Sequence, residues 1–318
     1  MSSLVTFGET MLRLSPPVEQ PLSRTSEFDV HVGGAESNVA AAASAFDVDA
    51  TWLSALPETP LGDRIIHGLQ GAGVSPEVFR TDTGRVGTYY LERGPRPRGQ
   101  SVTYDREKTP IREVTPDHLP QEPIETADIF YTSGITPALS ATLADTTHRL
   151  LDVAAEAGTR TALDVNYRTK LWSPEEAREQ LTALFPSVDV LFVADRDARS
   201  VLGHEGDPAA IGQALAETHG FETVVVTRGA DGALVVHDGT VADHSGFDTE
   251  TVDPVGSGDA LVGGFLARRL AGDSVTDAVT HGTAAAALSR TVEGDMGGFT
   301  AETVADLANT DDYPGIDR

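Results

Sequence analysis

The stretch DPVGSGDALVGGFLARRL, residues 253–270, places a carboxylate inside a run of glycine and small residues, immediately before an apolar segment. Gly256, Ser257 and Gly258 read as a tight turn. Ala260, Leu261, Gly264, Phe265, Ala267 and Leu270 then recur at helical spacing. That pattern puts Asp259 in the first turn of a helix, where backbone N–H groups lack partners and the helix dipole is positive. A turn of this kind serves two purposes. It can bind an anion through its free N–H groups, or the acid can simply cap the helix.

A second small-residue stretch is VGGAESNVAAAASAF, residues 32–46. Gly33 and Gly34 allow a close backbone approach to a ligand or a positive φ, with a helix starting near Glu36 or Ser37. Asn38 stands near that start, where its amide can bond a hydroxyl through both atoms. The plainer alternative is a glycine turn with a polar helix cap. Further on, VVVTRGADGALVVHDG (224–239) reads as a strand, a turn containing Gly229 and Gly232, and a β-hairpin about Asp238 and Gly239. A glycine-lined turn at a strand end suits a nucleotide, and equally a simple connection.

These segments must be positioned by a scaffold, and the chain is long enough for one: 318 residues can bury a large core. Strand-like runs at 4–8, 50–56, 128–134, 159–166, 188–194 and 223–229 alternate with helix-like runs at 37–46, 143–158, 174–185 and 208–220. The alternation predicts an α/β protein, a mainly parallel sheet covered by helices on both faces. Ligands in such folds gather outside the carboxyl ends of the strands. Two segments depart from the pattern. Residues 10–33 carry Pro16, Pro17 and Pro21 among short alternating runs, and residues 84–109 read as two strands around GPRPRG. Together they predict a small β-sheet lid over the site, or else a surface hairpin.

Composition removes several classes of function. The chain carries 49 acidic and 23 basic residues, a formal net charge of −26. Nucleic-acid binding requires a basic footprint, so it is excluded as an expectation. No apolar run approaches the ~18 residues of a membrane span. The N-terminus MSSLVTFGETMLRLSPP lacks a basic segment and a long apolar core, so no secretory leader is expected. With zero cysteines, disulfides and thiolate metal sites are out, which points to the cytoplasm. Lys108 and Lys170 are the lysines; the other cations are arginines. Acids spread along the whole chain, the pattern of a solvated surface adapted to a high-salt interior.

Taken together, GGAESNVA near the N-terminus, TRGADG and then DPVGSGDALVGGF near the C-terminus, in this order and separation, resemble the ribokinase/PfkB carbohydrate kinases over roughly residues 4–300. The resemblance implies a single ribokinase-like three-layer α/β/α domain with a small β-sheet lid. It implies that Asp259 is the general base that takes the proton of a sugar hydroxyl, with Gly256, Ser257 and Gly258 presenting N–H groups to the transferring phosphate. Chemically this is coherent, because phosphoryl transfer needs an activated hydroxyl and charge stabilisation at the phosphate oxygens. ATP and Mg²⁺ are implied with it. The family's Asn-x-x-Glu element is altered here: VLFVADRDARSVLG (190–203) has Ala194 for the Asn and Asp197 for the Glu, which leaves Asp197 an indirect role at most.

GGAESN, TYDR and DVNYRTKLW further resemble the 2-keto-3-deoxygluconate kinase branch, whose work on an Entner-Doudoroff sugar acid implies substrate contacts from Gly33, Gly34, Asn38, Tyr90, Tyr104, Arg106, Arg168 and Asp295. Neighbouring strand residues face opposite sides, so a slip of one position would bring Tyr89 to the pocket in place of Tyr90. Asp295, in VEGDMGG, has a loop-capping alternative. Asn166, Thr227, Gly229, Gly232, Gly256 and Gly258 fall on the nucleotide side. A sugar acid needs a cation, ideally an arginine fork, where neutral sugars do not; Arg106 and Arg168 are the expected pair, with Arg93, Arg96 and Arg98 read as solvated lid charges. The rivals are a fructokinase or ribokinase acting on a neutral sugar, and a sugar-binding regulator, which the intact GSGD disfavours. Edges of the lid sheet suit a homodimer or higher oligomer.

Charge alone generates one expectation. The Debye length is ~3 Å at 1 M salt and ~30 Å at 0.01 M, so acid–acid repulsion becomes long-ranged on dilution. The melting temperature should therefore be lower in roughly 50 mM salt than in molar salt. Scanning calorimetry at the two concentrations checks this, and an equal or higher value at low salt contradicts it.

Overall fold

The computed structural model describes residues 2–18, 20–94 and 97–309. Arg96 and most of the C-terminal stretch from Ala308 onward lie outside the described residues. The strands are β1 (Ser3–Phe7), β2 (Met11–Ser15), β3 (Asp29–Gly33), β4 (Asp49–Pro57), β5 (Ser75–Thr81), β6 (Thr88–Gly94), β7 (Gly99–Asp105), β8 (Ile129–Ser133), β9 (Arg160–Asp164), β10 (Val190–Ala194), β11 (Thr223–Thr227), β12 (Ala233–His237) and β13 (Thr240–His244). The helices are α1 (Ala35–Ser44), α2 (Pro60–Gly71), α3 (Glu122–Thr126), α4 (Ala141–Ala157), α5 (Pro174–Leu184), α6 (Asp195–Ser200), α7 (Pro208–His219), α8 (Ser257–Leu270), α9 (Val275–Ser289) and α10 (Ala301–Ala308).

Nine strands form one sheet in the order β13-β12-β11-β10-β9-β8-β1-β4-β5. Pairing is parallel from β5 through β11 and antiparallel at the β12–β13 edge. Its strands read as nearly continuous apolar runs because both faces are buried. In β10, Leu191 and Val193 enter one core cluster, with residues of α4, α5 and α7, while Val190 and Phe192 enter another, with residues of α1, α8 and α9. The result is a three-layer ribokinase-like α/β architecture. A smaller sheet, β3-β2-β6-β7, stands apart from the large one. It draws its strands from two separate stretches, 11–33 and 88–105, with β2 and β6 parallel at its centre.

The alternation in the sequence did not announce β5, α2, α9 or α10. β5 is an edge strand in which partly exposed positions alternate with exposed ones, and α9 is rich in Ala, Thr and Gly, so neither carries a strong apolar pattern.

The site is positioned by the packing of α1 on α8. Small side chains let these helices come close: a Cβ added to Gly263 would lie 2.5 Å from the Cβ of Ala42 and 2.6 Å from the carbonyl oxygen of Val39. On the other flank of α8, Gly264 faces Ala285 and Gly282 of α9. This proximity brings Asn38 of α1 against Asp259 of α8. Gly263→Val should destabilise the protein by about 1–3 kcal/mol through overpacking and lower turnover in the protein that still folds. Chemical denaturation in molar salt, paired with an activity assay, reads both effects; an unchanged denaturation midpoint would show that the helices are free to separate.

Candidate active site

α8 starts at Gly256, which takes the left-handed conformation (φ 80°) at the helix N-cap. No other residue fits: a Cβ there would lie 2.1 Å from the carbonyl oxygen of Asp295. The first-turn N–H groups of a helix have no carbonyl to bond within it, and Gly256, Ser257 and Gly258 all line the same cavity. Beyond Gly258 the space is open, with no atom within 4 Å of an added Cβ. The Ser257 N–H makes only a long bond to the Pro254 carbonyl (3.4 Å), and Asp259 follows directly, so weakly engaged N–H groups and a carboxylate share one helical turn.

The cavity has a volume of about 1190 Å³, more than one small ligand fills. The smaller sheet lines one side through Met11, Tyr89, Leu91, Val102 and Tyr104. The other side is built at the carboxyl ends of parallel strands, from Asp164 of β9, Ala194 of β10 and Thr227 of β11. Asn166 follows β9 with a positive φ of 40°, stabilised by its N–H donating to Asp164 Oδ1 at 3.0 Å, and its buried Nδ2 has no partner among the described residues.

Asp259 opens to the cavity on one side and is enclosed by protein on the others. Lost hydration raises its carboxyl to about 8; Asn38 Nδ2, donating to Oδ2 at 2.7 Å, opposes the shift, as does the Arg168 cation, while Asp164 and Glu36 reinforce it. Asp164 is raised to about 7, again chiefly by burial, with Arg168 opposing. Glu36 is buried under the same floor, accepting from Ser133 N (3.1 Å), Ser133 Oγ (2.6 Å) and Thr136 Oγ1 (2.7 Å), and burial pushes its carboxyl up. Asp259, Asp164 and Asp197 thus share one opposing cation, Arg168.

Several residues singled out in the sequence meet at this cavity: Gly33, Gly34, Asn38, Tyr104, Arg106, Asn166, Arg168, Asp197, Thr227, Gly256, Ser257, Gly258, Asp259 and Asp295 line it. Others require correction. Tyr89, not Tyr90, lines the cavity; the register is one residue off, and Tyr90 packs edge-on against Phe28 away from it. Gly229 and Gly232 do not line it. Gly232 instead lets the chain pass close to Gly246, and Gly229 faces open space. Gly33 and Gly34 are not at positive φ, and a Cβ on them would meet Asp295 Oδ1 at 2.4 Å and the Glu9 carbonyl at 2.1 Å. Their smallness admits neighbouring protein. Both amide atoms of Asn38 already have protein partners, Asp259 and the Gly34 N–H. Arg93 is no solvated charge either: it lies beside Asp253 (3.4 Å) and Glu293 (2.9 Å), whereas Arg98 is exposed as expected.

Arg106 is committed as well. Its Nε donates to Glu9 Oε2 at 2.8 Å and a terminal nitrogen bonds the same oxygen. Asp197 is buried, 3.4 Å from Arg196. Arg168 differs. Its hydrogen bonds run to the carbonyls of Asn166 (3.4 Å) and Tyr167 (3.2 Å) in its own loop, and among the described residues no carboxylate is bonded to it.

A family model described as pfkB family carbohydrate kinase matches residues 1–301. The chain belongs to the pfkB family of carbohydrate kinases. It is 50% identical over 317 residues to a 2-dehydro-3-deoxygalactonokinase of Haloferax volcanii, covering 100% of this chain and 99% of that one. It is 32% identical to a 2-dehydro-3-deoxygluconokinase of Thermoproteus tenax, over 93% and 90% of the two chains. Among solved structures it superposes on a 2-dehydro-3-deoxygluconokinase of Thermotoga maritima with a TM-score of 0.93 and 32% identity, over 98% and 99% of the chains.

For a carbohydrate kinase the missed residues are instructive. Glu9 follows β1 and Asp164 ends β9, so the rule that ligands gather at strand carboxyl ends could have found both. Glu36 sits beside residues that were singled out, and Tyr89 is the register alternative named with Tyr90. No sequence signal marks Arg13 or Asp253, whose partners lie far along the chain.

The raised Asp259 carboxyl has a consequence for stability. The folded state holds its proton more tightly than the unfolded chain, so this group's contribution falls as pH rises from about 4 to about 8. Asp259→Asn removes that penalty. The variant should melt above wild type near pH 8, with the difference shrinking toward about pH 4; calorimetry across that range tests it, and an equal or lower melting temperature at pH 8 would refute it.

Proposed function

We propose that this carbohydrate kinase transfers the γ-phosphoryl group of ATP to the terminal hydroxyl of a 2-keto-3-deoxy sugar acid. The observation that carries the reading is Arg168, a half-buried guanidinium lining the cavity that no carboxylate among the described residues engages by a hydrogen bond, while Arg106 and Arg196, which also line it, are paired. A fork with free donors in a cavity suits a planar carboxylate. The substrate's acid end supplies the missing anion. The relatives at 50% and 32% identity are named for the same class, one for each of two epimers differing at C4. The residue motifs favour the gluconate form and the more similar of those two relatives favours the galactonate form.

In this reading Asp259 accepts the proton of the terminal hydroxyl as its oxygen bonds to the γ-phosphorus. The bond from phosphorus to the bridging oxygen breaks, and ADP leaves. N–H groups of residues 256–258 meet the equatorial phosphate oxygens at the positive end of α8. Asn38 holds the Asp259 carboxylate in one orientation. Thr227 and the unpartnered Nδ2 of Asn166 lie on the nucleotide side. Mg²⁺ supplies charge neutralisation at the phosphates when bound with ATP. The described residues include no group of three acids or histidines able to hold a metal, and Asp197 lies 3.4 Å from Arg196, so Asp197 would serve the ion indirectly at most.

Arg168→Ala should cut kcat/KM for the keto-acid by at least about tenfold, since a charge-assisted bond is worth about 1.5–3 kcal/mol. KM for ATP should hardly move, and turnover of fructose or ribose should fall far less. Equal loss on acid and neutral sugars would make Arg168 structural and return the assignment to a neutral-sugar kinase. In the same assay, in molar salt with both epimers, Asp259→Asn should lose at least about a hundredfold in kcat. Retention of more than about a tenth would remove Asp259 as the base.

A further inference from the structure

Beneath the smaller sheet lies an ionic cluster that the phosphoryl-transfer scheme does not use. Arg13, in the middle of β2, is fully buried. Its Nε donates to Ser15 Oγ at 2.9 Å, one terminal nitrogen donates to Asp295 Oδ2 at 3.0 Å, and the other bonds Asp253 Oδ2. Asp253, also fully buried, begins the segment that ends in the Gly256–Gly258 turn. Its Oδ1 accepts from the N–H of Val255 at 3.2 Å, and its Oδ2 from the N–H of Gly294 at 3.3 Å. Asp295 receives the hydroxyl of Tyr89 from β6, and its carbonyl oxygen occupies the space a side chain at 256 would need.

Two strands of the smaller sheet are thereby bolted to the turn whose amides face the cavity. Stability alone does not account for such an arrangement, because apolar side chains of similar volume serve a buried position as well or better than an ion pair. A planar fork reaches two carboxylates on different segments from separate nitrogens in a fixed geometry, whereas a lysine ammonium gathers its three donors at one point. We propose that Arg13 is a positioning residue for phosphoryl transfer: its guanidinium fixes the Asp253 turn and Asp295 against the smaller sheet, so that the N–H groups of residues 256–258 hold their phosphate-binding geometry only while that sheet is docked. The proposal requires the kinase reaction and is indifferent to which carbohydrate accepts the phosphoryl group.

The test is Arg13→Lys in the full chain, in molar salt, with whichever carbohydrate the wild type turns over. kcat should fall at least about tenfold while KM for sugar and for ATP stay within about threefold. Hydrogen exchange should quicken at the hydrogen-bonded amides of Asp253, Val255 and Ser257 and stay unchanged in β10. A folded variant with kcat within about twofold of wild type, or with unaltered exchange at Asp253, Val255 and Ser257, overturns the proposal. Should the lysine variant fail to fold, Tyr89→Phe decides the matter, since it keeps every charge and releases only Asp295. Faster exchange at Gly294 and at Asp253, Val255 and Ser257 is then expected, and unchanged exchange at both places overturns the proposal. Failure of the sugar-acid reading would instead appear as a neutral sugar being the better wild-type substrate, with these exchange results intact.

Discussion

Asp259 is held at the N-terminus of a helix, at the floor of a cavity, with one side-chain hydrogen bond to support its charge. The hydration it loses there raises its carboxyl to about 8, toward the range in which a base can take a proton at neutral pH and release it again. Much of the surrounding structure maintains that condition. Asn38 must come within 2.7 Å, which requires α1 to lie nearly backbone to backbone on α8, which in turn requires the alanine run of α1 and Gly263 of α8. Gly256 must take a left-handed φ with the Asp295 carbonyl pressed against it. A larger residue at any of these places would move the carboxylate away from the free N–H groups beside it.

Charge around the cavity follows a second constraint. In a chain of net charge −26, cations near a ligand site are few, and most are neutralised by a buried acid: Arg13 by Asp253 and Asp295, Arg106 by Glu9, Arg196 by Asp197. Pairing keeps those arginines fixed but leaves little charge for a ligand. Arg168, like Lys170 on the same cavity, is held by main-chain carbonyls instead, which orient a cation without cancelling it. The same cation opposes the upward shift at Asp259, Asp164 and Asp197. It therefore links recognition of a negative ligand to the protonation of the acids around it.

The sequence by itself determined the layered scaffold and the chemistry of the central turn. Both are local: apolar runs buried on two faces need no partner to be recognised, and Gly-Ser-Gly-Asp before an apolar helix defines a free N-terminus with an acid in its first turn wherever the helix lands. The strand-end arginine at 168 was legible for the same reason. Tertiary structure decided what each side chain spends its hydrogen bonds on. Whether Tyr89 or Tyr90 faces the cavity is a matter of strand register, set by pairing β6 with β2 and β7. Asn38 and Arg106 have the right types for binding sugar, yet each is engaged by a protein acid reached only through folding, Asp259 and Glu9. Arg13 and Asp253 are separated by 240 positions, and neither alone has a pattern; burial brings them together, because a guanidinium sealed from water must find its anions within the protein.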